Sequence, residues 1–200
     1  MVDQPDQLLD EVDNLFTIAE TKIKQVELLR EEIIIPAVNQ LRYAGHHILK
    51  SLKTAGAREK ESQLEQAKSH CERAICDSME IGIAYCLERI NAFKNDYKAI
   101  TITDVIPTYF GILCHARAAQ ELIVQGVEAN NREPDQKRYA NHNEMSKYFD
   151  LLRDDVNALD VGREELNKKV IRYRRNLILS IAGLTLAAFT LAATVLAISH

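Results

Sequence analysis

The sequence contains no tryptophan, only four prolines and only seven glycines among its 200 residues. An all-β chain needs Gly- and Pro-rich turn signals at close, regular intervals, and so few of either exclude it. Also missing are a glycine-rich phosphate loop, a serine nucleophile elbow and a spaced Cys/His zinc signature. The first 20 residues are acidic and amphipathic, unlike a secretory leader, so the head is expected to face the cytoplasm with its thiols reduced. The cysteines are Cys71, Cys76, Cys86 and Cys114. Pairing His70–Cys71 with Cys114–His115 as metal ligands is disfavoured, because adjacent helical residues point about 100° apart. Buried free thiols, no metal and no cofactor are the expectation.

Apolar residues make up 46% of the chain, enough for a core of one domain plus an appendage. The net charge of -4 is unevenly spread. Residues 1–162 hold 19 basic and 27 acidic residues, net -8, whereas 163–175 hold six basic and two acidic, net +4. That positive segment abuts 24 residues without a charge, Asn176 to Ser199. At about 1.5 Å per residue these reach some 36 Å, enough for a hydrocarbon layer of about 30 Å. Lys168, Lys169, Arg172, Arg174 and Arg175 stand immediately before the span, and such flanks lie on the cytoplasmic side. The sequence therefore predicts a tail-anchored, single-pass protein of the cell inner membrane with its N-terminal head in the cytoplasm. Within the span, Ser180, Gly183, Ala187, Thr190, Thr194 and Ala197 recur at spacings of three and four on one stripe. Leu177, Leu184, Leu191 and Ile198 form a second stripe, every seventh residue. Small residues let membrane helices approach closely, so the first stripe is a candidate seam between copies or the lining of a narrow pore.

Helical periodicity dominates the head. Val12, Phe16, Ala19, Ile23 and Val26 predict a first helix ending near Ile35–Pro36. Val38, Leu41, Gly45, Ile48 and Leu52 predict the buried face of a second, closed by Thr54–Ala55–Gly56. A long third helix keeps its apolar line from Leu64 through Ala67, Cys71, Ile75, Met79, Ile83, Cys86, Ile90, Phe93 and Tyr97 to Ile100. Thr103 or Asp104 is the expected N-cap of a fourth helix, with Pro107 in its first turn and Val105, Tyr109, Ile112, Ala116, Ala119, Ile123 and Val127 on its face. Asn130 to Asp135 is the expected loop. A last helix from about Gln136 carries Met145, Phe149, Leu152, Val156, Leu159, Leu166, Val170, Tyr173 and Leu177, with Arg163 in phase. This register crosses into the apolar span without a break, and Gly162 is its weak point, costing about 1 kcal/mol relative to alanine. The expected fold is all-α: an up-and-down bundle of about five long helices over 1–162, a basic juxtamembrane helix over 163–175 and a transmembrane helix over 176–199.

One polar cluster stands out, Arg42-Tyr43-Ala44-Gly45-His46-His47. An imidazole beside a guanidinium suits general acid–base work on a phosphodiester, the arginine stabilising developing charge. Arg42 and His47 are separated by four residues, a spacing that resembles the arginine–(four to six residues)–histidine motif of HEPN-type helical domains, many of which are ribonucleases. The resemblance implies a helical bundle and, for Arg42 with His46 or His47, a metal-independent ribonuclease site. In that family the motif usually lies on a later helix, and a small polar residue usually stands where this chain has Tyr43. A HEPN-like head joined to one membrane helix also resembles the small membrane accessory proteins of RNA-targeting CRISPR systems, which act as oligomers.

The leading expectation is a homo-oligomeric membrane protein of antiviral defence that permeabilises or depolarises the bilayer; enzyme activity is left open, and if present would be that of a metal-independent ribonuclease. Its partners would be the lipid bilayer and copies of itself, with a soluble defence protein or RNA as further candidates and no DNA. The rivals are a membrane-tethered HEPN-type ribonuclease and a non-catalytic scaffold that recruits a soluble partner.

Overall fold

The computed structural model describes the backbone of residues 4–132 and 142–198 and the side chains of residues 6–125 and 143–190. Among the described residues every regular element is helical: α1 (Gln4–Arg30), α2 (Ile35–Lys53), α3 (Ala57–Asp96), α4 (Tyr109–Arg132) and α5 (His142–Ile198). A 3₁₀ turn, Ile102–Asp104, lies between α3 and α4.

The 40 residues of α3 run about 60 Å and form the spine. Its predicted apolar line is buried from Leu64 to Tyr97. Burial extends beyond that line to Ala74, Cys76, Ser78 and Gly82, because other helices pack on several sides of α3. Along its first half α3 carries α1 and α2. Glu11 meets Lys68 at 2.7 Å and Val26 lies over Gly82, so α1 runs parallel to α3. Gln40 meets His70 and His47 meets Gln63, so α2 runs antiparallel. Along its second half α3 carries α5, with Asp160 at Arg89 and Asn167 at Tyr97. α4 returns antiparallel along α5, where His115 meets Asp155. The helices thus alternate up and down. The two halves meet at Gly82, where an added Cβ would stand 2.6 Å from the Phe149 ring and 2.9 Å from Val26. Only a glycine lets those two side chains cross over the α3 backbone.

Four local expectations are corrected. α1 ends at Arg30, not near Pro36; Glu31 turns the chain with φ 58° and Ile34 N–H donates to Glu27 Oε1. Pro36 instead sits in the first turn of α2, where its missing N–H has no helical acceptor to lose. The buried residues of α2 are the small ones, Ala37, Ala44 and Ser51, spaced by seven. On α3, Ala67 and Ala74 share a stripe with the two polar partners of α2, Gln63 and His70, so small side chains fill this seam. Leu41, Gly45 and Ile48 are half-buried, whereas Val38 and Leu52 stay exposed at 42% and 64%. Thr103 and Asp104 do not cap α4: they lie in the 3₁₀ turn, and α4 begins after Pro107, at Tyr109. Finally, Cys71, Cys76 and Cys86 are buried free thiols, but Cys114 is exposed.

α4 continues to Arg132, so the expected loop at 130–135 is helical in its first residues, and its remainder and the expected start at Gln136 lie outside the described residues. The side chain of Val127 lies outside them too. The register does not break at Gly162: α5 is one uninterrupted helix of 57 residues. A Cβ at 162 would stand 2.5 Å from Ile106 Cδ1, so the glycine seats the loop side chain against the helix. Along α5, Met145, Phe149, Leu152, Val156, Leu159 and Leu166 are buried as predicted. From Ile171 to Thr190 every residue is exposed. Among the described residues no helix is long and apolar enough to cross a membrane. The expected span, 176–199, extends past residue 190, and its side chains from 191 onward lie outside the described residues.

Candidate functional site: a groove between α1 and α2

α1 and α2 both lie on α3 but touch each other little. The space between them is an open groove of about 600 Å³. Leu9, Val12 and Phe16 of α1 form one wall, and Gly45, Ile48 and Leu49 of α2 form the other. Three ionisable residues also line it: Asp13 from α1, Arg42 and His46 from α2. Among the described residues none of the three has an ion-pair partner. The face predicted to enter the core, Val38–Leu52, is thus partly the wall of this groove. An added Cβ at Gly45 would meet nothing within 4 Å, so the groove is open at its middle.

The helix separates the predicted catalytic trio. Arg42 and His46 are four residues apart, about 40° around the axis, and face the groove together. His47 is about 140° from Arg42 and turns toward α3. There its Nδ1 lies 2.9 Å from Gln63 Oε1, and its ring stacks on His70 with centroids 5.3 Å apart and planes 14° apart. His70 Nδ1 lies 2.7 Å from Gln40 Oε1. With the amide oxygens accepting, both imidazoles donate from Nδ1. Burial holds the His70 pKa below its ordinary value of 6.5, and the Arg73 guanidinium and His47 push the same way. Tyr43 packs against His70 at 5.5 Å, and the Arg42 guanidinium lies over the Tyr43 ring at 5.3 Å. The residue that carries the family spacing, His47, is therefore a seam residue, and the one beside Arg42 is His46. The groove can hold an apolar group against a guanidinium, an imidazole and a carboxylate. Asp13 was not visible as a partner in the sequence, since 29 positions separate it from Arg42 and only the packing on α3 relates them.

The cysteine–histidine pairs do not converge. His70 is engaged by Gln40 and His115 by Asp155 at 2.8 Å. Burial pushes the Cys71 and Cys86 thiols up to about 12. Among the described residues no group of three or more His, Cys, Asp and Glu side chains is placed to hold a metal ion.

The second set of predicted residues lies along α5. Lys168 pairs with Glu164 at 2.9 Å and Lys169 with Asp104 at 3.1 Å. Arg172, Arg174 and Arg175 are exposed. Of the small-residue stripe, Ser180, Gly183, Ala187 and Thr190 are exposed among the described residues. Ser180 and Thr190 hydroxyls donate to Asn176 and Ala187 carbonyls of their own helix, so neither needs an external partner. The side chains of Thr194 and Ala197 lie outside the described residues. Comparison with protein-family models, with curated proteins and with solved structures finds no match to this chain.

Proposed function

We propose that this chain is a single-pass membrane protein whose helical head stands on the cytoplasmic face of the inner membrane, and whose α5 tail associates with other copies to permeabilise or depolarise the bilayer in antiviral defence. The observation that carries this is the far part of α5. Leu177, Ile178, Leu179, Ile181, Leu184, Leu186 and Phe189 are all about half exposed or more, Phe189 at 77%, along one helix that the described residues of the head do not cover. Apolar surface of that extent on a soluble chain is covered by something else, and a charge-free run flanked by arginines suits lipid. The same helix is joined to the head without a hinge, and Gly162, Arg163 and Asn167 hold it against the 3₁₀ loop and α3. A movement of the head would therefore reach the tail through a rigid rod. Reconstitution into dye-loaded vesicles tests this: release of dye by inserted oligomers is expected. An intact dye signal from well-inserted oligomers would overturn permeabilisation and leave the anchor standing.

A second function is favoured by one observation, the shared groove of Arg42, His46 and Asp13. It suits a metal-independent ribonuclease in which His46, not His47, moves the proton and Arg42 stabilises charge on the phosphodiester. Incubation with diverse RNAs tests it. Cleavage abolished by Arg42→Ala and His46→Ala but kept in His47→Gln would support it, and equal inertness of wild type and variants would sink it.

A further inference from the structure

Basic residues along α5 fall into two groups. Those nearer the head are paired within the protein: Arg163 with Asp96 and Asp160, Lys168 with Glu164, and Lys169 with Asp104. Glu165 is the last acidic residue of the sequence. Past it, Arg172, Arg174 and Arg175 are exposed and have no ion-pair partner among the described residues.

Their placement narrows what would satisfy them. Taking Arg172 as the origin, Arg174 lies about 200° and Arg175 about 300° around the helix, while the three span only about 4.5 Å along it. A docked acidic peptide would approach from one side and reach one or two of them. A planar layer of headgroups surrounds the helix and reaches all three at one depth. Tyr173, 47% exposed, sits in the same thin layer, where a ring with a polar tip suits a lipid–water interface. The apolar run starts one residue further on, after Asn176. Guanidiniums also match phosphate oxygens in a two-pronged fashion that ammonium groups do not.

We infer that Arg172, Arg174 and Arg175 form a collar that binds the phosphates of anionic lipids around the point where α5 enters the bilayer. This rests on the membrane function proposed above and adds a lipid class to it. The lysines one turn earlier already have carboxylate partners, Lys169 in Asp104 of the head and Lys168 in Glu164 of its own helix.

Flotation of the full chain with vesicles tests the collar. One set is phosphatidylcholine alone and the other carries phosphatidylglycerol as well. At low ionic strength, binding to the anionic vesicles is expected to be tighter by about fivefold for each arginine, from about 1 kcal/mol per residue near a charged surface. High salt should erase the difference. The triple variant R172Q/R174Q/R175Q should keep its helicity by circular dichroism, bind neutral vesicles like wild type and lose the preference. Equal binding of wild type to both vesicles overturns the collar while the anchor survives. A triple variant that keeps its preference overturns it too. Failure to bind either vesicle overturns the membrane function itself, and the collar with it.

Discussion

Along its first half α3 meets α2 through alanines, a buried serine and histidine–glutamine bonds, whereas along its second half it meets α5 through carboxylate–guanidinium pairs. In the first half Ala37, Ala44 and Ser51 fill the seam, with His47–Gln63 and His70–Gln40 beside them. In the second, Arg89 binds both oxygens of Asp160, Arg163 bonds Asp96 and Asp160 and lies 5.3 Å over the Phe93 ring, and Tyr97 Oη donates to Asn167 Oδ1 at 2.8 Å. Small-residue packing holds two helices close without fixing charge to charge, and here it leaves α1 and α2 apart with a groove between them. A ladder of directional polar bonds fixes the height and rotation of α5 against α3. The first half is built to present a surface, and the second to hold a rod.

Removing the piece that joins the halves should have the largest effect. Phe149 is fully buried over Gly82, and Phe149→Ala is expected to cost about 3–5 kcal/mol in urea unfolding. If the halves are one cooperative unit by virtue of this junction, the single transition should also split in two. Gly82→Ala puts a methyl into the same crossing and should cost about 1–3 kcal/mol by overpacking, against a helix-propensity gain of about 1 kcal/mol. A net rise in urea midpoint would show that the two side chains part easily. Arg163→Ala loosens the second half alone. Its partners are partly exposed, so about 1 kcal/mol is expected. Amide exchange should quicken over residues 160–170 and stay unchanged in α2; uniform quickening would refute the division of labour.

The smallest expected effect is a pH dependence confined to the first half. His70 has a pKa lowered in the folded chain by burial, Arg73 and His47. The unfolded chain therefore takes up the proton first as pH falls. This contribution is complete above the ordinary value of 6.5 and is lost as pH drops through it toward the folded value. Melting between pH 7.5 and 5.5 should show a destabilisation that is smaller in His70→Gln. An unchanged slope in that variant would place the titration elsewhere.

Much of this architecture was legible in the chain. The i, i+3, i+4 line from Leu64 to Tyr97 is long enough to specify a helix whatever surrounds it, and the line from Met145 to Leu166 did the same for α5. Helix boundaries near proline were misjudged because a proline that ends one helix and one that starts the next have the same local effect on the residue before them; the choice was made by Glu31 entering the left-handed region. The buried face of α2 was misassigned because periodicity counts bulk, and this seam is filled by alanines. In the candidate site, 100° per residue was enough to separate His46 from His47, but the placing of Asp13 beside Arg42 and the stacking of His47 on His70 depend on contacts across 29 and 23 positions.

By itself the sequence determined the helical class, the spine, the phase of α5 and the charge step from an acidic head to a basic, then apolar, tail, since each depends only on local spacing and composition. Tertiary structure decided which face of α2 enters the core, that Gly82 and Gly162 serve as seats for Phe149 and Ile106, and which basic residues of α5 are held by the head. Those outcomes depend on which helices approach α3 and how closely, and no local pattern encodes that.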